Sequence, residues 1–174
     1  SLPKLTKGTP VTWITASEVA FIKAEMALKG WTFVGDTAEN LYKKGIELSF
    51  AQHNVALGTY LSNTATRGNH NDVKQSAYNA SFSSPITVKW ENSATDEQKL
   101  AKIITQKWIA LYPNGQEAWS EYRRTGYPKL FPVVDNLSNG KVNTNVQVRR
   151  VPFPASEYVG NRAEVEKAVQ LLGG

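Results

Sequence analysis

Residues 104–128 read ITQKWIALYPNGQEAWSEYRRTGYP, and the pattern of this stretch decides the fold. Leu100, Ile103, Ile104, Lys107, Trp108 and Leu111 recur at a spacing that predicts a helix with one apolar face, the lysine stem lying along it. Tyr112-Pro113-Asn114-Gly115 ends that helix, because the residue before a proline is pushed out of the α region. Asn114 is placed to cap a second helix, with Glu117 in the capping-box position. Ala118, Trp119 and Tyr122 give the second helix an apolar side, and Gly126 followed by Pro128 stops it. Arg123 and Arg124 fall in its last turn, where they oppose the negative end of the helix dipole and can bond free carbonyls. The expected object is a helical hairpin with a rigid, charged exit. Its apolar sides need a surface to pack on.

A matching hairpin lies upstream. Thr15 and Glu18 form a capping box, after which Val19, Ile22 and Met26 share one face and Ala20, Ala24 and Ala27 another. Small residues at that spacing let a neighbouring helix come close. Gly30 ends this helix, and Trp31, Phe33 and Val34 fill the connection. Asp36, with Glu39 in the box position, opens the next helix. Its buried face is expected to be Ala38, Leu41, Tyr42, Gly45, Ile46 and Ser49. The fold class is therefore all-α, with hairpins at residues 15–52 and 95–126 of TPR-like type. Long irregular loops and little strand make up the rest. On the hairpins alone, a TPR-type scaffold for a protein or peptide partner fits the pattern.

Between the hairpins, a shorter helix is expected over residues 54–61. A polar insert rich in Asn and Ser then spans residues 62–94, and long loops in compact domains are often functional or mobile. Within it, residues 85–90 (PITVKW) alternate like a short strand. The last part, residues 127–174, reads as C-terminal loops with a strand-like VQVRRVPF at 146–153 and a final helix opened by Asn161 and Glu164. Residues 1–13 read as extended or loop, broken by Pro3, Gly8 and Pro10. Gly173 and Gly174 read as an end. The chain starts at Ser1 without an initiator methionine, signal peptide or lipidation motif, so it is expected to be a piece of something longer.

Composition narrows the chemistry. Of 174 residues, 41% are hydrophobic and 20% charged, an ordinary balance for a folded globular chain. The net charge of +5 is spread along the sequence rather than gathered in a block. That favours a solvated basic surface over a nucleic-acid partner. The absence of cysteine excludes disulfides, thiolate metal sites and cysteine nucleophiles. His53 and His70 have no second ligand at metal spacing. Residues 68–72 (GNHND) offer oxygen ligands but do not match an EF-hand loop. No nucleophile elbow or phosphate loop is present. Glu117 and Glu121 lie one turn apart, where capping and pairing with an arginine account for them better than a glycosidase pair does. No catalytic residue, metal or cofactor is expected.

The five tryptophans are more informative. Trp108 and Trp119 fall on helix faces and are expected to pack in the core. Trp90, Tyr78 and Phe82 flank or lie in the polar insert, and Trp31 sits in a hairpin connection. Aromatic faces beside amide and hydroxyl groups suit pyranose rings, which stack their C–H face while amides bind hydroxyls. Trp90, Tyr78 and then Trp31 are therefore the candidate sugar contacts, the alternative being that these aromatics pin the long loop to the helices.

Several segments taken together carry a resemblance: SEVAFIKAEMALKGW (17–31), GDTAENLYKKGIELSF (35–50), ITQKWIAL (104–111), NGQEAWSEYRRTGYP (114–128), and RRVPFP followed by Glu157 and Asn161 (149–161). In this order they resemble the C-terminal portion of the SusD/RagB family of outer-membrane nutrient-binding lipoproteins of Bacteroidetes. The resemblance implies that both hairpins belong to a TPR-like superhelix. It also implies non-catalytic capture of an oligosaccharide or polysaccharide at the cell surface and delivery to a SusC-like TonB-dependent transporter. The lipid anchor would lie outside this chain. Arg123, Arg124, Gly126, Tyr127, Pro128, Arg149 and Arg150 match as family signature positions. Their physical reading is structural: guanidinium forks can grip carboxylates and helix-end carbonyls, welding the C-terminal loops to the repeats.

Overall fold

The computed structural model describes residues 6–82 and 84–172. The readings made above for residues 1–5 and 173–174 lie outside the described residues. Two compact units divide the chain, residues 1–134 and 135–174.

The first unit is built on two helical hairpins. α1 (Ala16–Leu28) starts where the Thr15 hydroxyl accepts from the Glu18 amide, and Glu18 takes a backbone hydrogen bond from Thr15 in return. Gly30 turns the chain at φ 82° and Gly35 at φ 79°. α2 (Ala38–Gln52) begins one residue later than the sequence pattern indicates. Thr37, not Asp36, is extended and caps it, accepting from the Asn40 amide, while Asp36 braces the cap by accepting from the Thr37 amide and the Asn40 carboxamide. α3 (Asp96–Ala110) has a complete capping box between Thr95 and Gln98. α4 (Gly115–Thr125) is capped by Asn114 and stopped by Gly126, whose left-handed φ of 75° lets its amide reach the Tyr122 carbonyl.

The core lies where α1, α2 and α3 meet. Phe21, Ala24, Leu41, Tyr42, Ile46, Ile103, Ile104 and Trp90 form one cluster. α1 thus buries its small residues and Phe21, and leaves Val19 and Ile22 on its outer side. On α3 the buried arc runs through Ile103, Lys107 and Ala110, and Trp108 falls past its edge at 36% exposure. The expected core role of Trp108 is corrected accordingly. Trp119 is half-buried, with the Arg123 guanidinium 4.5 Å from its ring.

Three expectations about the connections change. No α-helix forms over residues 54–61: Asn54 and Gly58 take left-handed φ values of 53° and 51°, and only a 3₁₀ turn at Tyr60–Ser62 follows. Residues 85–90 form no ladder and bend at Val88 and Lys89. Their carbonyls are taken by side chains instead, Val88 by the Tyr42 hydroxyl, and Thr87 and Lys89 by the Lys102 ammonium. Residues 146–153 are not a strand either, because Asn143 organises a turn there and Gln147 sits at φ 58°. Among the described residues the only bridge pairing is the isolated antiparallel one between His70 and Ala80.

The second unit holds α5 (Ala155–Gly160) and α6 (Arg162–Leu171). α5 is short and follows Pro154, which suits a helix start, where the sequence pattern indicates loop. Val165 is the buried residue of α6. The polar turn before them is tied by Asn136, which donates to the Val142 carbonyl and the Thr144 hydroxyl and accepts from the Ser138 amide.

Candidate functional site

The polar insert is a closed loop on a helical platform. Its two ends meet where the Lys89 amide donates to the Asn63 carbonyl at 2.9 Å. The returning arm of the loop is held by two buried groups. Lys102, on α3, has a side chain only 2% exposed, and its ammonium donates to Thr87 twice and to the Lys89 carbonyl, with Glu91 at 3.5 Å. A buried charge is tolerable only with such a full set of partners. Tyr42, on α2, donates to the Val88 carbonyl at 2.7 Å, and burial pushes its hydroxyl well above the usual tyrosine range.

Trp90 completes this root. Its ring packs 5.1 Å from Tyr42, its indole N–H donates to Asn92, and it is 8% exposed. A ring so enclosed has no free face for a sugar, so the expected contact at Trp90 is corrected to a core role. The aromatic beside the polar insert is what anchors it.

The middle of the loop is fastened by Arg67. Its guanidinium lies 3.7 Å from the Phe82 ring centre and 4.1 Å from that of Phe131, and it donates to the Lys129 carbonyl. Sequence reasoning missed this residue; a lone arginine in a run of Asn, Ser and Thr was the available signal. Beyond it the tip is stiffened by short side chains bonding to nearby backbone, as such residues do in turns. Asp72 accepts from the Lys74 and Gln75 amides, Asn79 from the Asp72 amide and Asn69 from the Phe82 amide. These bonds hold the Asp72 carboxyl below the usual carboxylate range. The oxygen-rich stretch around Asp72 is thus explained by turn formation.

Tyr78 stands on this tip at 41% exposure, in the 3₁₀ turn Ser76–Tyr78. Trp31 is 49% exposed in a different place, the α1–α2 connection, where its ring lies 5.6 Å from that of the exposed Phe33. The sequence pattern places Phe33 as filling this connection and not among the sugar contacts, although the flanking Gly30 and Gly35 mark a tight, built turn. The three aromatics chosen as sugar contacts therefore occupy three settings: one in the core, one on the loop tip, one in a hairpin connection.

At the exit of α4, Arg124 joins two helices. Arg124 grips both oxygens of Glu25 on α1, at 2.7 and 2.6 Å, and also reaches Glu121 at 2.8 Å. It binds carboxylates rather than helix-end carbonyls, and it ties α4 to α1. Tyr127 donates to Glu97 at 2.6 Å, and that bond raises its hydroxyl to about 12. Pro128 is buried beside it, and the Lys129 ammonium lies 4.8 Å over the Tyr127 ring. In the second unit Arg149 is exposed, and Arg150 lies 5.4 Å from the Phe153 ring.

These features define an all-α, TPR-like helical protein that holds a pre-shaped polar loop on the face of its hairpins. The chain belongs to the SusD-like family, the Susd and RagB outer membrane lipoproteins, whose family model matches residues 1–174. Among solved structures it is similar to a chitin-binding SusD homolog from Flavobacterium johnsoniae, at 49% identity and a TM-score of 0.75, covering 91% of this chain and 33% of that one. A SusD homolog from Bacteroides thetaiotaomicron matches at 42% identity and a TM-score of 0.81, over 97% of this chain and 35% of that one. One from Bacteroides ovatus matches at 45% and 0.76, over 89% and 32%. The chain thus spans about a third of the length of these relatives. Comparison with curated proteins gave no match. Among the described residues no helix is long and apolar enough to cross a membrane.

Proposed function

We propose that this chain is the C-terminal part of a cell-surface lipoprotein that captures a glycan without cleaving it and passes it to a SusC-like TonB-dependent transporter. The observation that carries the reading is the family match over the whole chain, joined to 49% identity with a chitin-binding member. The geometry fits a binding role. The loop at residues 62–94 is fixed at its root by Lys102 and Tyr42 and at its tip by side-chain turns, so little ordering entropy remains to be lost on contact. Tyr78 on that tip and Trp31 in the hairpin connection supply the exposed aromatic faces.

The test is retardation of the intact protein in gels containing soluble polysaccharide, with copurification of its outer-membrane partner. A retarded protein that brings down a β-barrel transporter is the expected result. Tyr78→Ala should weaken binding by about 1–3 kcal/mol if stacking on sugars follows the scale for bases. Release of reducing ends from the polysaccharide would overturn the non-catalytic reading. Recovery of a soluble peptide-bearing partner, with no retardation, would favour a TPR scaffold instead.

A further inference from the structure

The turn that replaces the expected helix after α2 builds a second aromatic surface. With Asn54 and Gly58 in left-handed conformations, the chain doubles back after α2, and Tyr60 lays its ring 4.9 Å from that of Phe50. The Tyr60 hydroxyl donates to Gln106, a buried residue of α3, so the ring is held in place by the platform below. Around this pair lies a cavity of about 490 Å³ lined by Phe50, Tyr60, Thr59, Ser62, Asn63 and Thr64, with Leu57 beside them. That volume falls within the range of small-ligand sites, roughly 300–1,000 Å³.

The polar groups are set out in a particular way. Asn63 has its side-chain oxygen occupied by the Ala65 amide and its backbone carbonyl by the Lys89 amide. Its carboxamide N–H groups are left for something outside the loop. The hydroxyls of Thr59 and Thr64 likewise have capacity to donate and accept, while that of Ser62 is turned back onto the Thr59 carbonyl. None of the described residues lining the cavity is charged. A phosphate, sulfate or uronate would find no cation there, and a basic peptide no carboxylate. An aromatic wall facing neutral donors and acceptors matches an uncharged pyranose, apolar on its C–H face and ringed by hydroxyls.

We infer that the cavity between Phe50, Tyr60 and Asn63 is a subsite for a neutral hexose or N-acetylhexosamine unit of the glycan. This rests on the glycan-binding reading above and adds to it a location and a charge class. The subsite sits at the start of the polar loop, whereas Tyr78 stands on its tip.

The test measures affinity of the intact protein for chito-, cello- and malto-hexaose and for hexagalacturonate by calorimetry. It compares the unaltered protein with Thr64→Val, Asn63→Ala and Tyr78→Ala. Each lost hydrogen bond should weaken binding of a neutral hexasaccharide about two- to ten-fold. Thr64→Val is the variant that leaves the fold intact, and an unchanged melting temperature confirms it. Weakening in Thr64→Val and Asn63→Ala at constant melting temperature supports the subsite. Binding by the unaltered protein that only Tyr78→Ala reduces would overturn the subsite and leave the glycan reading standing. A preference for hexagalacturonate would overturn the neutral class. Failure of the unaltered protein to bind any of the four would remove both readings.

Discussion

Helix α1 is fastened on two sides by different physics. Toward α2 the seam is dry and close. Phe21 meets Tyr42 edge-on at 6.3 Å, Ala24 is fully buried, and Ser17 donates to the Gly45 carbonyl at 2.7 Å. Toward α4 the seam is ionic: Glu25 to Arg124, Arg124 to Glu121, and Glu121 on to the buried Lys107 of α3 at 3.1 Å. The dry seam derives its strength from apolar area removed from water and is intolerant of added volume. The ionic seam adds little net energy over an apolar equivalent, but removing one member leaves another uncompensated. One seam sets how near the helices come, the other which residues face each other.

The largest effect should come from breaking the ionic seam at its most enclosed point. Lys107→Ala leaves Glu121 buried with only the half-exposed Arg124 beside it. Loss of one partner of a buried pair costs about 3–5 kcal/mol, and the remaining arginine places this case near the low end. Urea unfolding should show it as a lower midpoint at constant slope. A change below about 1 kcal/mol would mean that the seam is wet, and the contrast between the two sides would collapse.

Adding volume to the dry seam should come next. A Cβ built on Gly45 would lie 2.7 Å from a carbon of the Phe21 ring, which is itself 1% exposed and cannot retreat. In an open helix Gly→Ala would stabilise by about 1 kcal/mol. Here overpacking toward the upper end of about 1–3 kcal/mol outweighs that gain, because the ring cannot give way, so Gly45→Ala should destabilise by about 1–2 kcal/mol. Double substitution Gly45→Ala with Phe21→Leu should recover part of the loss, because the ring is the obstacle.

Much of the dry seam was legible in the sequence, and little of the ionic one. Leu41, Tyr42, Gly45 and Ile46 announce a buried face by spacing alone, and Thr15, Thr95 and Asn114 announce helix starts, because both signals are local. The helix expected over residues 54–61 failed for a local reason too, since Asn54 and Gly58 favour left-handed turns that an apolar count overlooks. The pairing of Glu25 with Arg124, 99 residues away, has no local signature, and neither has Lys102 holding three carbonyl and hydroxyl oxygens of a distant segment. For the same reason the sequence leaves Trp90 open between a sugar contact and a pin for the loop. Its neighbours in sequence are polar, while its neighbour in space is Tyr42.

The smallest effect sharpens the comparison through pH. Two carboxylates on α1, seven residues apart, titrate in opposite senses. Burial raises Glu18, with Lys107 only partly offsetting it. Burial would also raise Glu25, but hydrogen bonds from Arg124 and Lys29 overcome it and hold the carboxyl down to about 2. A carboxyl depressed from 4.5 stabilises the fold fully above about pH 5, and that contribution is lost as pH falls toward 2. The raised Glu18 does the reverse, its cost being relieved by acid. Arg124→Ala removes the main force that depresses Glu25 and leaves burial to act on both groups. The variant should be less stable than the parent at pH 6 by on the order of 1 kcal/mol, a figure discounted because Arg124 is 44% exposed. Between pH 5 and pH 3 the gap between the two should narrow, and glycan binding at neutral pH should be unchanged. A gap that stays constant through acid would assign the loss to packing of the arginine stem rather than to its charge. A variant that keeps its melting temperature but loses the glycan would place Arg124 in the binding surface.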